Sequence, residues 1–118
     1  MEVYRTPEFL IIHLKRFSHT RNSLFGSRKI NDLIDFPTEG LEMSSYVLNE
    51  EQRQKGVIYD LYAVSNHFGS LNGGHYTAYT KNFLYKKWFN FDDSEVFKCS
   101  ASEIVTKSAY VLFYRLRK

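Results

Sequence analysis

Short apolar runs rich in β-branched and aromatic residues, broken by glycine, proline and charge, set the rhythm of this chain. FLIIHL at 9–14 follows Pro7 and predicts a buried strand, with the polar KRF as its exit. Residues 18–32 are polar with Gly26 inside and predict a long loop, a kind of segment often tied to function. LIDFP at 33–37 predicts a short strand ended by Pro37. Residues 38–56 carry no period, and NEEQRQKG at 49–56 reads as charged and solvated. Beyond that point strands dominate: VIYDLYAVSN (57–66), HYTAYTKN (75–82), KKWFNFDD (86–93) and AYVLFYRL (109–116), with EVFKC (95–99) as a short extended piece. HFGSLNGG (67–74) predicts a glycine-bearing loop and NFLY (82–85) a turn. SASEIVTKS (100–108) predicts a short helix, with Ser100 and Glu103 at capping-box spacing. The sum is an α+β chain, mostly antiparallel β with one short helix.

Composition narrows the class. The 118 residues fit one domain, and 43% hydrophobic content excludes disorder by composition. Aromatics at 17% favour strands over helices. The net charge of +3 is scattered, with no basic run of nucleic-acid length, so a solvated basic face or attraction to an acidic region of a protein partner is expected and nucleic acid is not. The single cysteine, Cys99, excludes an internal disulfide and a four-cysteine zinc site. His67 and His75 stand eight apart without further ligands nearby, so neither a metal nor any other cofactor is expected. The N-terminal stretch lacks a secretory pattern, and FLII is too short to span a bilayer. A soluble, reducing, cytoplasmic or nuclear setting without membrane contact is the expectation.

The chemistry concentrates in GGHYTAY (73–79) and FDDS (91–94). A hairpin with its turn at Asn82–Tyr85 pairs Lys81 with Lys86, Tyr79 with Trp88, Thr77 with Asn90, and His75 with Asp92. Alternation then places His75 and Asp92 on one face, close enough for a hydrogen bond. A carboxylate on one imidazole nitrogen fixes the tautomer and frees the other nitrogen to take a proton from a nucleophile. The register favours Asp92 over Asp93; a one-residue slip or a bulge reverses that choice. Gly69, Gly73 and Gly74 permit positive φ and close approach of a ligand to backbone. The same residues also fit a plainer reading, an exposed His–Asp pair of little energetic weight behind an ordinary glycine turn. His13 fits a packed strand histidine, and His19, in a polar loop, carries no signal.

Four blocks in order, FLIIHLKRF (9–17), YDLYAVSNHFGSLNGGHYTAYTKN (59–82), WFNFDDS (88–94) and AYVLFYR (109–115), resemble the C-terminal half of the ubiquitin-specific protease catalytic domain. GLEMSSYV (40–47) followed by DLYAVSNHFG is similar to the subgroup with a long insertion in that domain. The resemblance implies a papain-like cysteine peptidase of fingers, palm and thumb, with residues 1–118 supplying much of the palm. It implies His75 as general base, Asp92 as its orienting acid and Asp93 as an assisting neighbour. It also implies that His67, Gly69, Gly73, Gly74 and Tyr76 border the channel for ubiquitin's C-terminal tail, with the loop from Ser18 to Asn31 beside it. Ubiquitin and ubiquitinated proteins are then the partners, and isopeptide hydrolysis the reaction. The family's N-terminal cysteine block and the zinc-binding cysteine pairs of the fingers are absent, and Cys99 matches no nucleophile position. The nucleophile is therefore expected on an N-terminal half outside these residues. The alternative is a catalytically silent ubiquitin-binding fragment.

Overall fold

The computed structural model describes residues 7–15, 17–19, 27–29, 32–69 and 73–117, the pieces 17–19 and 27–29 by backbone alone. β5 (Ile58–Phe68) is the centre of a seven-stranded antiparallel sheet. Its Tyr, Leu, Val and Phe content suits a strand buried on one face and paired on both edges. One edge pairs with β9 (Ala109–Leu116), which carries β1 (Phe9–His13) on its far side. The other edge is shared by β4 (Leu41–Glu42) and β6 (His75–Asn82), followed outward by β7 (Lys87–Asp92) and β8 (Glu95–Cys99). This is the mostly antiparallel architecture that the sequence pattern predicts.

Register and alternation divide the residues between two faces. One face carries Tyr59, Leu61, Val64, Leu112, Tyr114 and Trp88, all buried beneath Phe36, Met43, Val47, Val57 and Ile104. The bulge between Leu61 and Ala63 keeps both halves of β5 aimed at this core across a break in the ladder. The other face stays largely open, with Phe9 51%, Ile11 62% and Phe83 54% exposed. The molecule is accordingly a slab of 50 × 39 × 19 Å. Its radius of gyration is 16.5 Å, against about 13–14 Å for a globule of this length.

Several elements depart from the pattern. Part of the loop expected at 18–32 forms a two-stranded ladder of β2 (Phe17–His19) with β3 (Ser27–Lys29); residues 20–26 and 30–31 lie outside those described. No strand forms over 33–37. Phe36 anchors that segment in the core while the Pro37 carbonyl accepts from the Tyr114 hydroxyl at 2.8 Å. The stretch expected to be irregular holds a 3-10 turn (Ser44–Tyr46) and α1 (Glu50–Lys55). The expected helix at 100–108 shrinks to a 3-10 turn, Ala101–Glu103. Ser100 Oγ meets the Glu103 carboxylate at 3.2 Å rather than capping a backbone N–H. Ile104, fully buried, draws the chain into the core there, and the β-branched Val105 and Thr106 do not extend the turn.

Candidate active site at the end of the sheet

β6 begins at His75 and β7 ends at Asp92, so the hairpin brings both to one end of the sheet. The turn is Phe83–Lys86, one residue later than the pattern predicts. Asn82 explains the delay: its side-chain oxygen accepts from the N–H of Leu84 and of Tyr85, and Lys86 closes the turn at φ 54°. Moving the turn by one residue moves the register by two. Lys81 pairs with Trp88 and Tyr79 with Asn90, in place of the expected Lys81–Lys86 and Tyr79–Trp88 pairs. A shift of two preserves every facing, so His75 and Asp92 still share the core face. They now meet diagonally, beyond Ala78↔Phe91, the last pair of the ladder.

His75 Nε2 lies 2.8 Å from Asp92 Oδ1, with the side chains 49% and 43% exposed. A carboxylate only accepts, so Nε2 carries the proton and Nδ1 keeps its lone pair. Asp93 follows at φ 51°, in the two-residue turn that joins β7 to β8. One ligand atom from each of His75, Asp92 and Asp93 lies within 4.8 Å of the others, enough donors for a divalent cation. Two ligands at about 2.1 Å from one tetrahedral zinc would stand roughly 3.4 Å apart. The 2.8 Å contact is therefore a hydrogen bond that would have to open to admit a metal.

His67, Gly74 and Tyr76 cluster on the other face. His67 pairs directly with Tyr76, and the residue is 2% exposed. That ring lies 4.8 Å from the Tyr76 ring and 5.6 Å from Tyr110. Gly74 sits against it; a Cβ built there would come within 1.8 Å of His67 Nε2. Gly69 adopts φ 94°, and Gly73 stands beside it, its carbonyl oxygen 3.2 Å from where a Gly69 Cβ would be. Residues 70–72 of this loop lie outside those described. The structure thus groups His75 with Asp92 and Asp93 on one face, and His67 with Gly74 and Tyr76 on the other.

One polar neighbour escaped the sequence reading. Asn66 is fully buried on the core face and its side-chain nitrogen donates to Thr77 Oγ1 at 3.3 Å. An asparagine at an alternation position that calls for an apolar side chain was the available signal. Cys99 pairs with Trp88, four residues from Asp92 along β7, or about 13 Å. Burial, and then the charge of Glu103, push its thiol above the usual range. At neutral pH it is a protonated thiol far from the imidazole.

The model of a family described as ubiquitin carboxyl-terminal hydrolase matches residues 1–114. The chain belongs to that family. Among curated ubiquitin carboxyl-terminal hydrolases, number 4 of Pongo abelii is 48% identical over 116 residues, covering 98% of this chain and 12% of its own length. Number 12 of Saccharomyces cerevisiae is 47% identical, over 97% of this chain and 9% of its own. A chain of the solved Ubp8–Sgf11–Sgf73–Sus1 SAGA DUB module superposes with a TM-score of 0.85 at 37% identity, over 99% of this chain and 26% of that one. A form of the module bound to monoubiquitin matches with a TM-score of 0.83 at 38% identity. The chain therefore spans a small part of the ubiquitin carboxyl-terminal hydrolases it matches. Deubiquitination is the chemistry that their names carry, and the antiparallel sheet described above is the fold they share with it.

Proposed function

We propose that this chain supplies the general base and orienting acid for cysteine-type hydrolysis of the isopeptide bond after ubiquitin's C-terminal glycine. The observation that carries the reading is the 2.8 Å His75–Asp92 bond at the sheet end, in a chain of this family. Asp92 holds Nε2–H, so Nδ1 faces the nucleophile. It takes the thiol proton, stabilised as imidazolium by Asp92, and returns it to the departing lysine amine. Asp93 adds negative charge beside the pair. Gly69, Gly73, Gly74 and Tyr76 border the path of the ubiquitin tail, with glycine backbone admitting an extended peptide. His67, being buried, supports that wall from behind.

The thiol comes from a segment outside these residues, because Cys99 is too distant from the imidazole. Ubiquitin and ubiquitinated proteins are the partners, in the cytoplasm or nucleus. The open aromatic face suits a chain that works as one portion of a larger catalytic domain.

The test uses ubiquitin carrying a thiol-reactive group at its C-terminus, with intact mass as readout. The isolated chain is expected to form no adduct, and a ubiquitin adduct on Cys99 overturns the assignment. In the full-length protein, His75→Ala is expected to lower turnover of a fluorogenic ubiquitin amide by about 10²–10⁴-fold. Ubiquitin binding should persist in that variant. Unchanged turnover removes His75 from the role of base, and a wild-type protein that binds ubiquitin without turnover establishes the silent module instead.

A further inference from the structure

His67 is a buried imidazole that takes no part in the proton transfer above. It lies on β5 and points to the face opposite His75. Tyr76 and Tyr110 wall its ring on two sides. Gly74 closes a third side: a Cβ there would fall 1.8 Å from Nε2 and 2.7 Å from each of the flanking ring carbons, Cδ2 and Cε1. The overlap involves three atoms of a ring flanked by two tyrosines, so either the ring or the strand has to shift.

Gly74 is bonded directly to His75. On the β7 side, the ladder stops at Ala78↔Phe91, so residues 75–77 have no ladder pair there. On the β5 side, His75 pairs with Phe68, the last residue of that strand. Yet the Nε2–Oδ1 bond to Asp92 holds at 2.8 Å across this unpaired stretch. Gly74, packed on the His67 ring, immediately precedes the start of β6 at His75.

We infer that His67 is a positioning residue for His75: its ring is the rest on which the Gly74 backbone sits, and it makes glycine obligatory at position 74. The inference rests on the reading of His75 as base for its catalytic consequence, but its geometry is testable without any nucleophile.

The experiment records imidazole ¹⁵N signals of His75 in the chain labelled at histidine, with circular dichroism for folding. Wild type is expected to show His75 protonated at Nε2. Gly74→Ala is expected to lose that tautomer bias, because the methyl lifts the strand off the ring. His67→Ala combined with Gly74→Ala is expected to return His75 toward wild type, since the methyl enters the vacated ring volume. That non-additivity is the signature of direct steric coupling. Wild-type His75 signals in Gly74→Ala overturn the inference, as does a double variant that folds without regaining them. Should Gly74→Ala unfold, the double variant decides: folded with the native His75 signal supports the coupling, unfolded overturns it. The base assignment fails separately, on unchanged turnover of the full-length His75→Ala protein, so the two failures are distinguishable.

Discussion

At the scale of single residues, the arrangement assigns unequal weight to two adjacent aspartates. Asp92 accepts from His75 Nε2 and sets the tautomer, whereas Asp93 occupies a left-handed turn position at φ 51°. Asparagine tolerates that conformation, so both Asn variants are expected to fold. Asp92→Asn places an amide where the carboxylate accepts from His75 Nε2. In the full-length protein it is expected to lower kcat by on the order of 10²-fold or more, and Asp93→Asn by less than about tenfold. Steady-state kinetics on a ubiquitin amide decide the order, and the reverse order would assign the orienting role to Asp93.

At the scale of elements, α1 is held by its ends rather than by an apolar face. None of its residues is buried. The Asn49 side chain accepts from the Gln52 N–H at 2.9 Å, and Gly56 ends the helix at φ 83°. Arg53 reaches back with Nε and Nη2 at 2.9 and 2.7 Å from the Val47 carbonyl, tying the helix to a buried position. Asn49→Ala is expected to cost about 1 kcal/mol. The same loss reads as roughly 3–6 °C in the thermal midpoint of a chain this size. An unchanged midpoint would mean that the Arg53 contact alone holds the helix.

For the whole molecule, Asp60 joins three distant segments. Its carboxylate takes two bonds from Arg117 at 2.9 and 2.6 Å and one from the Gly40 N–H at 3.0 Å. The Arg117 guanidinium holds Asp60 below the ordinary 3.8, with the Gly40 bond adding to it and partial burial opposing both. A lowered carboxylate pKa stabilises the fold above the unfolded value, and the contribution disappears as pH falls through the folded one. Both partners are partly exposed, so solvent screening keeps the pair's contribution small. Asp60→Asn is expected to lower the thermal midpoint at pH 7 and to match wild type in acid far enough below the ordinary 3.8 that the folded protein's Asp60 is protonated. A deficit that persists in acid would assign the loss to packing.

The sequence by itself determined the strands rich in aromatic and β-branched residues and bounded by turn signals. β6 spans His75–Asn82 and β9 spans Ala109–Leu116, as the pattern predicts, because strand-favouring content between turn residues is a local property of the chain. The facing of His75 toward Asp92 was legible from the alternation of side chains along a strand, and it survived a wrong register because a shift of two keeps parity. α1 was not legible, since EEQRQK has no apolar stripe and only Asn49 and Gly56 mark its ends. The 100–108 helix was overcalled because a capping box states only local preference, while Ile104 answers to the core. Only the tertiary structure decided the diagonal reach from His75 to Asp92 and the contact of Gly74 with His67. Both depend on which atoms of separate strands occupy the same few ångströms, and no spacing along one chain specifies that.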